Sequence, residues 1–196
     1  MQEVFYEESA TMTNTGSAKT KYYIFKTFSI ISYVLAVLWF IIIFYFFDFS
    51  GKVLIKIIFA LIPFALFIAS GIVIGRFKDK FYVDYDYTFV TGSIRFSRVI
   101  KNVKRKKVLV FDTANIDKIG RYGSDVFNRY ESMPGIKKLV LTMNNEPQEG
   151  KDFYYLVANV GGQKYLLILE CTELFISHII RFSSRTVIED GFLNKR

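Results

Sequence analysis

The chain has 196 residues, of which 52% are hydrophobic and 18% aromatic, and its formal net charge is +8. That length allows one ordinary domain plus a smaller element. Cys171 is the only cysteine and His178 the only histidine, which excludes an intrachain disulfide and a Cys/His metal cluster.

The chain opens on Glu3, Phe5, Tyr6, Glu7 and Glu8, an acidic and aromatic start followed by the polar run SATMTNTGSAKTK. Residues 1–21 therefore read as a flexible tail, with a docking peptide as the alternative. Residues 22–77 read as a helical hairpin with spans at about 27–47 and 55–76. TFSIISYVLAVLWFIIIFYFF and IIFALIPFALFIASGIVIG carry no charge. A helix needs about 20 apolar residues to cross the hydrocarbon of a bilayer. The first run is too long for a signal peptide, and no small-residue cleavage site follows it, so an uncleaved anchor is expected. The short link between the runs makes the helices antiparallel neighbours, and Lys56 reaches back to the interface.

Lys19, Lys21 and Lys26 precede the first span, and Arg76, Lys78 and Lys80 follow the second. The tip carries Lys52 and Lys56. Positive charge marks the cytoplasmic side, which predicts an integral protein of the cell membrane with both termini cytoplasmic. Pro63 frees a backbone carbonyl in mid-span. Gly71 with Gly75, and Ala65 with Ala69, are small-residue steps that let helices approach closely. They serve packing within the hairpin or a homo-oligomer.

Beyond Gly75 the periodicity changes to two. KFYVDYDYTFV puts Phe81, Val83, Tyr85, Tyr87 and Phe89 on one face and Asp84, Asp86 and Thr88 on the other, which predicts a half-buried strand with a solvated acidic face. Thr91–Gly92 turns the chain into SIRFSRVI, and RKKVLVF, NIDKIGRY and IKKLVLTM read as further strands. A loop from 123 to 135, with Gly123, Pro134 and Gly135 as breakers, precedes the last of these. DFYYLVANV, Gly161–Gly162 and QKYLLILE form a hairpin with a tight turn. Thr172 then caps a helix over 172–185, and 187–196 is a tail. Seven antiparallel strands and one C-terminal helix over 78–186 are the element order of a pleckstrin-homology-like (PH-like) partial barrel, whose helix buries the open end. The fold class expected is α+β: a two-helix transmembrane hairpin followed by this domain.

EVFYEE, YVDYDYTFVTGSI, KRKKVLVFD and NIDKIGRYGS carry a resemblance over most of the chain. The chain resembles two-span membrane proteins of Gram-positive bacteria that form a domain family of unknown function. The resemblance implies a cytoplasmic PH-like domain with no established activity.

Motifs for chemistry are sparse. There is no GxxxxGK[ST] phosphate loop and no HExxH, and GRYG at 120–123 opens no helix, so it reads as a strand end or bulge. His178 lies among isoleucines on the last helix and reads as a packing or boundary residue. No enzyme activity and no cofactor are expected.

The feature that stands out is RFSRVIKNVKRKK, with Arg95, Arg98, Lys101, Lys104, Arg105, Lys106 and Lys107 and no acid among them. Residues 76–196 hold 21 Lys and Arg against 14 Asp and Glu, a net +7. With Ile94, Phe96 and Ile100 turned to a core, Arg95, Arg98, Lys101, Lys104 and some of Arg105–Lys107 are expected to face outward. The counter-charge is then anionic lipid of the bilayer or an acidic protein partner. A solvated hairpin whose charges protect a sheet edge is the plainer alternative. Phe96 is the tract's one aromatic, so there is no stacking platform for nucleic acid. The function expected is a membrane-anchored, non-catalytic adaptor or scaffold. Alternatives are a subunit of a larger transport or envelope complex, or an enzyme with an unrecognised site.

Overall fold

A computed structural model describes residues 3–46, 51, 53–101, 103–183, 187–189 and 192, with side chains 44, 46 and 53–56 outside that description. Two compact units divide the chain: residues 14–82, and a second unit that joins residues 1–13 to 83–196.

The first unit is a helix pair, α1 (Thr15–Phe46) and α2 (Val53–Phe77). Both exceed the expected spans at their outer ends. Pro63 lies inside an unbroken α2. Small residues let the helices meet. A Cβ on Gly71 would lie 2.8 Å from the Tyr33 ring, and one on Gly75 would lie 3.1 Å from the Ser29 hydroxyl. Ser29 donates to the Gly71 carbonyl at 2.8 Å, and Trp39 Nε1 donates to the Ala60 carbonyl at 3.0 Å. Gly71 and Gly75 therefore pack within the hairpin, whereas Ala65 and Ala69 are exposed. Near the outer ends, Phe25 stacks on Phe81 with ring centroids 4.8 Å apart, and the Lys78 ammonium lies 6.0 Å from the Tyr22 ring. The tip residues Asp48 and Lys52, and the Lys56 side chain, lie outside the described residues.

The second unit contains two four-stranded sheets, not one seven-stranded barrel. Sheet 1 runs β1 (Phe5–Ala10), β2 (Val83–Val90), β3 (Ser93–Ile100), β4 (Lys104–Asp112), with all neighbours antiparallel. Sheet 2 holds β5 (Ile116–Arg121), β6 (Lys137–Val140), β7 (Asp152–Val160) and β8 (Gln163–Cys171) in the order β5-β7-β8-β6. β6 lies parallel to β8, where an all-antiparallel barrel was expected. The turns at 91–92 and 161–162 have positive φ at both central residues, the type I′ geometry that matches strand twist. Gly92, Gly161 and Gly162 supply it without strain.

Within the expected tail at 1–21, the chain is instead structured from Phe5 onward. β1 pairs over its whole length with β2, from Phe5↔Val90 to Ala10↔Tyr85, and α1 begins at Thr15. Its signal was hidden because one inward position, Glu8, is charged. A polar clamp holds the strand. Glu8 accepts from the Thr172 backbone N–H and hydroxyl, both at 2.9 Å, and Lys151 donates to the Ser9 carbonyl at 2.6 Å. Asn144 and Gln148 donate to the Thr11 carbonyl at 2.8 and 2.9 Å.

One apolar core fills the space between the sheets. Tyr87, Phe89, Ile94 and Phe96 come from sheet 1, and Ile119, Leu156, Leu167 and Leu169 from sheet 2. Phe175, Ile176 and Ile179 of α4 (Glu173–Phe182) complete it. Thr172 caps α4, as expected, by accepting from the Phe175 N–H, and residues 184–186 lie outside the described set. His178 sits at the edge, its ring 5.2 Å from Tyr6 and 6.0 Å from Phe89.

Sheet 2 is covered on its other face too. The loop at 123–135 contains a helix, α3 (Asp125–Glu131), N-capped by Ser124, and its Phe127 is buried against Tyr155, Val157, Leu166 and Ile168. A strand buried on both faces loses alternation, which is why YYLVA and LLIL read as continuous apolar runs. Residues 187–189 of the expected tail at 187–196 also contribute. Val187 and Glu189 bracket Ile119 in a short parallel bridge, with N–H···O distances of 2.8 and 2.9 Å. Glu189 accepts from the Ser124 hydroxyl at 3.0 Å and from the Tyr155 hydroxyl at 3.1 Å. Gly120 is where that carboxylate sits: a Cβ there would lie 1.9 Å from it. β5 ends at Arg121, so GRYG lies at a strand end as expected, and the close approach of the carboxylate is why position 120 is glycine.

Candidate functional site

The basic run forms the β3–β4 hairpin. Along β3, Ile94, Phe96, Arg98 and Ile100 share one face, and Arg95, Ser97 and Val99 the other. Arg98 is therefore on the core-side face, at its margin, and not outward as expected. It pairs across strands with Tyr85 and Lys106. Burial raises the Tyr85 phenol above its usual 10.0, and the Arg98 charge opposes that rise.

Cross-strand register divides the rest. Lys104 opposite Ile100, and Lys106 opposite Arg98, share the core-side orientation, although both are exposed beyond the edge of the core. Arg105 opposite Val99, and Lys107 opposite Ser97, share the outer face with Arg95. Lys101 occupies the turn with φ 57°, and Val103 at the hairpin tip is 85% exposed. The seven basic residues thus form two sets and a tip.

A β-bulge makes this division compatible with a core. The register shifts between Phe96 and Ser97, where Leu109 and Lys107 are their partners, so Val108 is the extra residue. Strict alternation would put Phe111 on the same face as Arg105 and Lys107. The bulge reverses the phase, so Phe111 joins the core at 4% exposure while both cations point out.

On the outer face these cations meet side chains that the basic tract alone did not reveal. Glu7, Asp86, Thr88, Arg95, Ser97, Arg105 and Lys107 line a concave cavity of about 270 Å³. Arg105 Nε lies 2.9 Å from an Asp86 carboxylate oxygen, and Nη2 lies 3.7 Å from Glu7. Ser9 donates to the other Asp86 oxygen at 2.7 Å. The signal for Glu7 and Ser9 was their alternation with Tyr6, Glu8 and Ala10, which is informative only once β1 is paired.

Asp84 and Asp86 were expected on a solvated face, but they are 6% and 5% exposed. β1 and Arg105 flank Asp86, and Met12, just past β1, donates to Asp84. Burial raises the Asp84 carboxyl above its usual 3.8, the Met12 N–H donated to it at 2.8 Å opposes the rise, and the Asp86 charge adds to it. A carboxyl with a raised folded pKa binds its proton more tightly folded than unfolded. Its ionised form therefore costs stability above the folded pKa, and this cost disappears as pH falls towards 3.8. Asp84→Asn keeps an acceptor for Met12. Thermal unfolding is expected to show a higher midpoint for this variant at pH 7, with the gain vanishing near pH 4.

A family model described as Bacterial PH-like domain (DUF6106) matches residues 16–189. The chain belongs to that family. No curated protein and no solved structure matches it. The family match takes in both apolar helices and the PH-like sheets, and it begins after β1.

Proposed function

We propose that the protein is a membrane-anchored, non-catalytic adaptor whose PH-like domain meets the anionic inner leaflet through the β3–β4 hairpin, with both termini cytoplasmic. The observation that carries this reading is the exposed basic hairpin with an apolar tip, joined in one chain to two helices long and apolar enough to cross a bilayer. Only 11% and 6% of the most apolar windows of these helices are buried. Side chains such as Phe40, Phe59 and Leu66 are more than half exposed, an arrangement suited to lipid and costly in water.

Each Lys or Arg near an anionic leaflet contributes about 1 kcal/mol within a Debye length of roughly 8 Å. Lys104 and Lys106 make no ion pair among the described residues, so their charge is available. Three or four such contacts would orient a domain that is already tethered. Val103 between Lys101 and Lys104 is the residue placed to enter the interface.

The test uses the whole protein in nanodiscs, with a polarity-sensitive fluorophore on a Val103→Cys variant. Cys171 is fully buried, so labelling is selective. Emission is expected to shift to the blue when phosphatidylcholine is replaced by phosphatidylglycerol and to revert at high salt. Identical spectra in the two lipids would sink leaflet contact and leave an acidic protein partner as the target of the hairpin.

A further inference from the structure

The cavity on the outer face of sheet 1 is lined by three cations, Arg95, Arg105 and Lys107, against two acids, Glu7 and Asp86. Asp86 and Glu7 are both directed at Arg105. Arg95 and Lys107 line the same cavity, are exposed, and make no ion pair among the described residues. Register sets each of them beside a hydroxyl: Thr88 is opposite Arg95, and Ser97 is opposite Lys107. Three cations and two hydroxyls therefore converge on a hollow whose acids stand at one side. Like charges lining one hollow repel, so a bound anion would be favoured here.

We propose that this hollow is a binding site for a phosphoryl group, with Arg95 and Lys107 as its charged ligands, Thr88 and Ser97 as hydroxyl donors, and Arg105 held in place by Asp86 and Glu7. The proposal rests on the reading of this domain as facing anions, and it names the group recognised and the face that recognises it. A phosphate monoester carries between one and two negative charges at neutral pH and three acceptor oxygens. A planar guanidinium matches two of those oxygens in parallel hydrogen bonds, and an ammonium adds a point charge. At about 270 Å³ the hollow falls below the roughly 300–1,000 Å³ of pockets for drug-sized ligands, which suits a small polar head. The bulge at Val108 is what turns Arg105 and Lys107 into it while Phe111 stays in the core.

The phosphoryl group belongs either to a soluble phosphomonoester or to a lipid headgroup, and the experiment separates the two. Full-length protein in phosphatidylcholine nanodiscs is titrated calorimetrically with glycerol 3-phosphate. In parallel, the Val103→Cys fluorophore is followed as phosphatidic acid replaces phosphatidylcholine. Two double variants are compared, each removing two positive charges from the same hairpin: Arg95→Gln with Lys107→Gln on the outer face, and Lys104→Gln with Lys106→Gln on the other.

The outer-face pair is expected to lose about tenfold or more in affinity, since a hydrogen bond to a charged group contributes roughly 1.5–3 kcal/mol and tenfold is 1.4 kcal/mol. The other pair should lose less than about twofold in glycerol 3-phosphate affinity and, because Lys104 and Lys106 also face the leaflet, a smaller part of the phosphatidic acid response than the outer-face pair. Arg95→Lys keeps the charge without the planar fork and should fall between. Binding of glycerol 3-phosphate assigns a soluble ligand; a response to phosphatidic acid alone assigns a headgroup. Equal losses in the two double variants, or no outer-face effect, would overturn the site. The lipid response of the unsubstituted tip would then still stand or fall separately. Unchanged unfolding midpoints establish that the variants fold.

Discussion

Removing residues 1–13 from the full chain is expected to abolish cooperative folding of the PH-like unit. β1 supplies an edge strand paired over six residues with β2. Each ladder hydrogen bond contributes roughly 0.5–1.5 kcal/mol net. Its loss also strands buried polar groups: Asp84 loses the Met12 N–H, and the Thr172 cap loses Glu8. The sum is on the order of 5 kcal/mol or more, comparable with the whole stability of a small domain, about 5–15 kcal/mol. Cys171 provides the measurement. The thiol is fully buried, and burial pushes its pKa well up, so it resists alkylation in the intact protein. Rapid labelling of the truncated chain is the expected result, with protection recovered on adding a peptide of residues 3–13. A truncated chain that stays protected would show that β1 is dispensable.

The second large effect is expected at Glu170, which is fully buried in β8. Its carboxylate accepts from the Thr142 hydroxyl, from the Asn144 amide at 2.8 Å and from the Gln148 backbone N–H at 3.0 Å. Asn144 and Gln148 in turn hold Thr11 and Thr13. Glu170→Ala leaves several donors without an acceptor and frees the loop that grips the N-terminal segment. A buried polar group deprived of its partner costs about 1–3 kcal/mol, so a total near 3–5 kcal/mol is expected. In thermal unfolding that is a fall of roughly 10–20 °C. Glu170→Gln, which keeps one acceptor, should lose about half as much. An unchanged midpoint for Glu170→Ala would show that water replaces the carboxylate at no cost.

Local patterning carried much of this architecture. The two uncharged runs, the strand alternation of β2 and β3, the Gly161–Gly162 turn and the Thr172 cap each act within a few residues, and each is where the periodicity puts it. What escaped depends on distant partners. β1 satisfies its backbone through β2, which the helix pair separates from it in sequence, and its inward Glu8 is offset by Thr172. The acidic alternation of Asp84 and Asp86 looked solvated because nothing nearby announces that the N-terminal segment will reach both and that Arg105 will pair with Asp86. β6 is parallel because its partner is β8, an arrangement no local period encodes. α3 left an indirect trace: YYLVA and LLIL are apolar at every position, so both faces of that sheet needed a cover. The candidate site was half legible. Its cations stood out by charge, whereas their division between faces depended on a bulge and on correct parity for Arg98.

Because the helix pair interrupts the sheet between β1 and β2, the order of assembly is constrained. Joining strands so far apart in sequence would ordinarily carry the entropy of closing a long loop. Here the loop consists of two helices whose outer ends are already pinned by Phe25 on Phe81 and by Lys78 near Tyr22. Once those helices pair, β1 and β2 are raised to a high effective concentration, and their ladder closes as an almost local event. Docking of β1 is therefore expected to be slow before helix pairing and fast after it, so that the state of the helix pair sets the rate at which the PH-like unit matures.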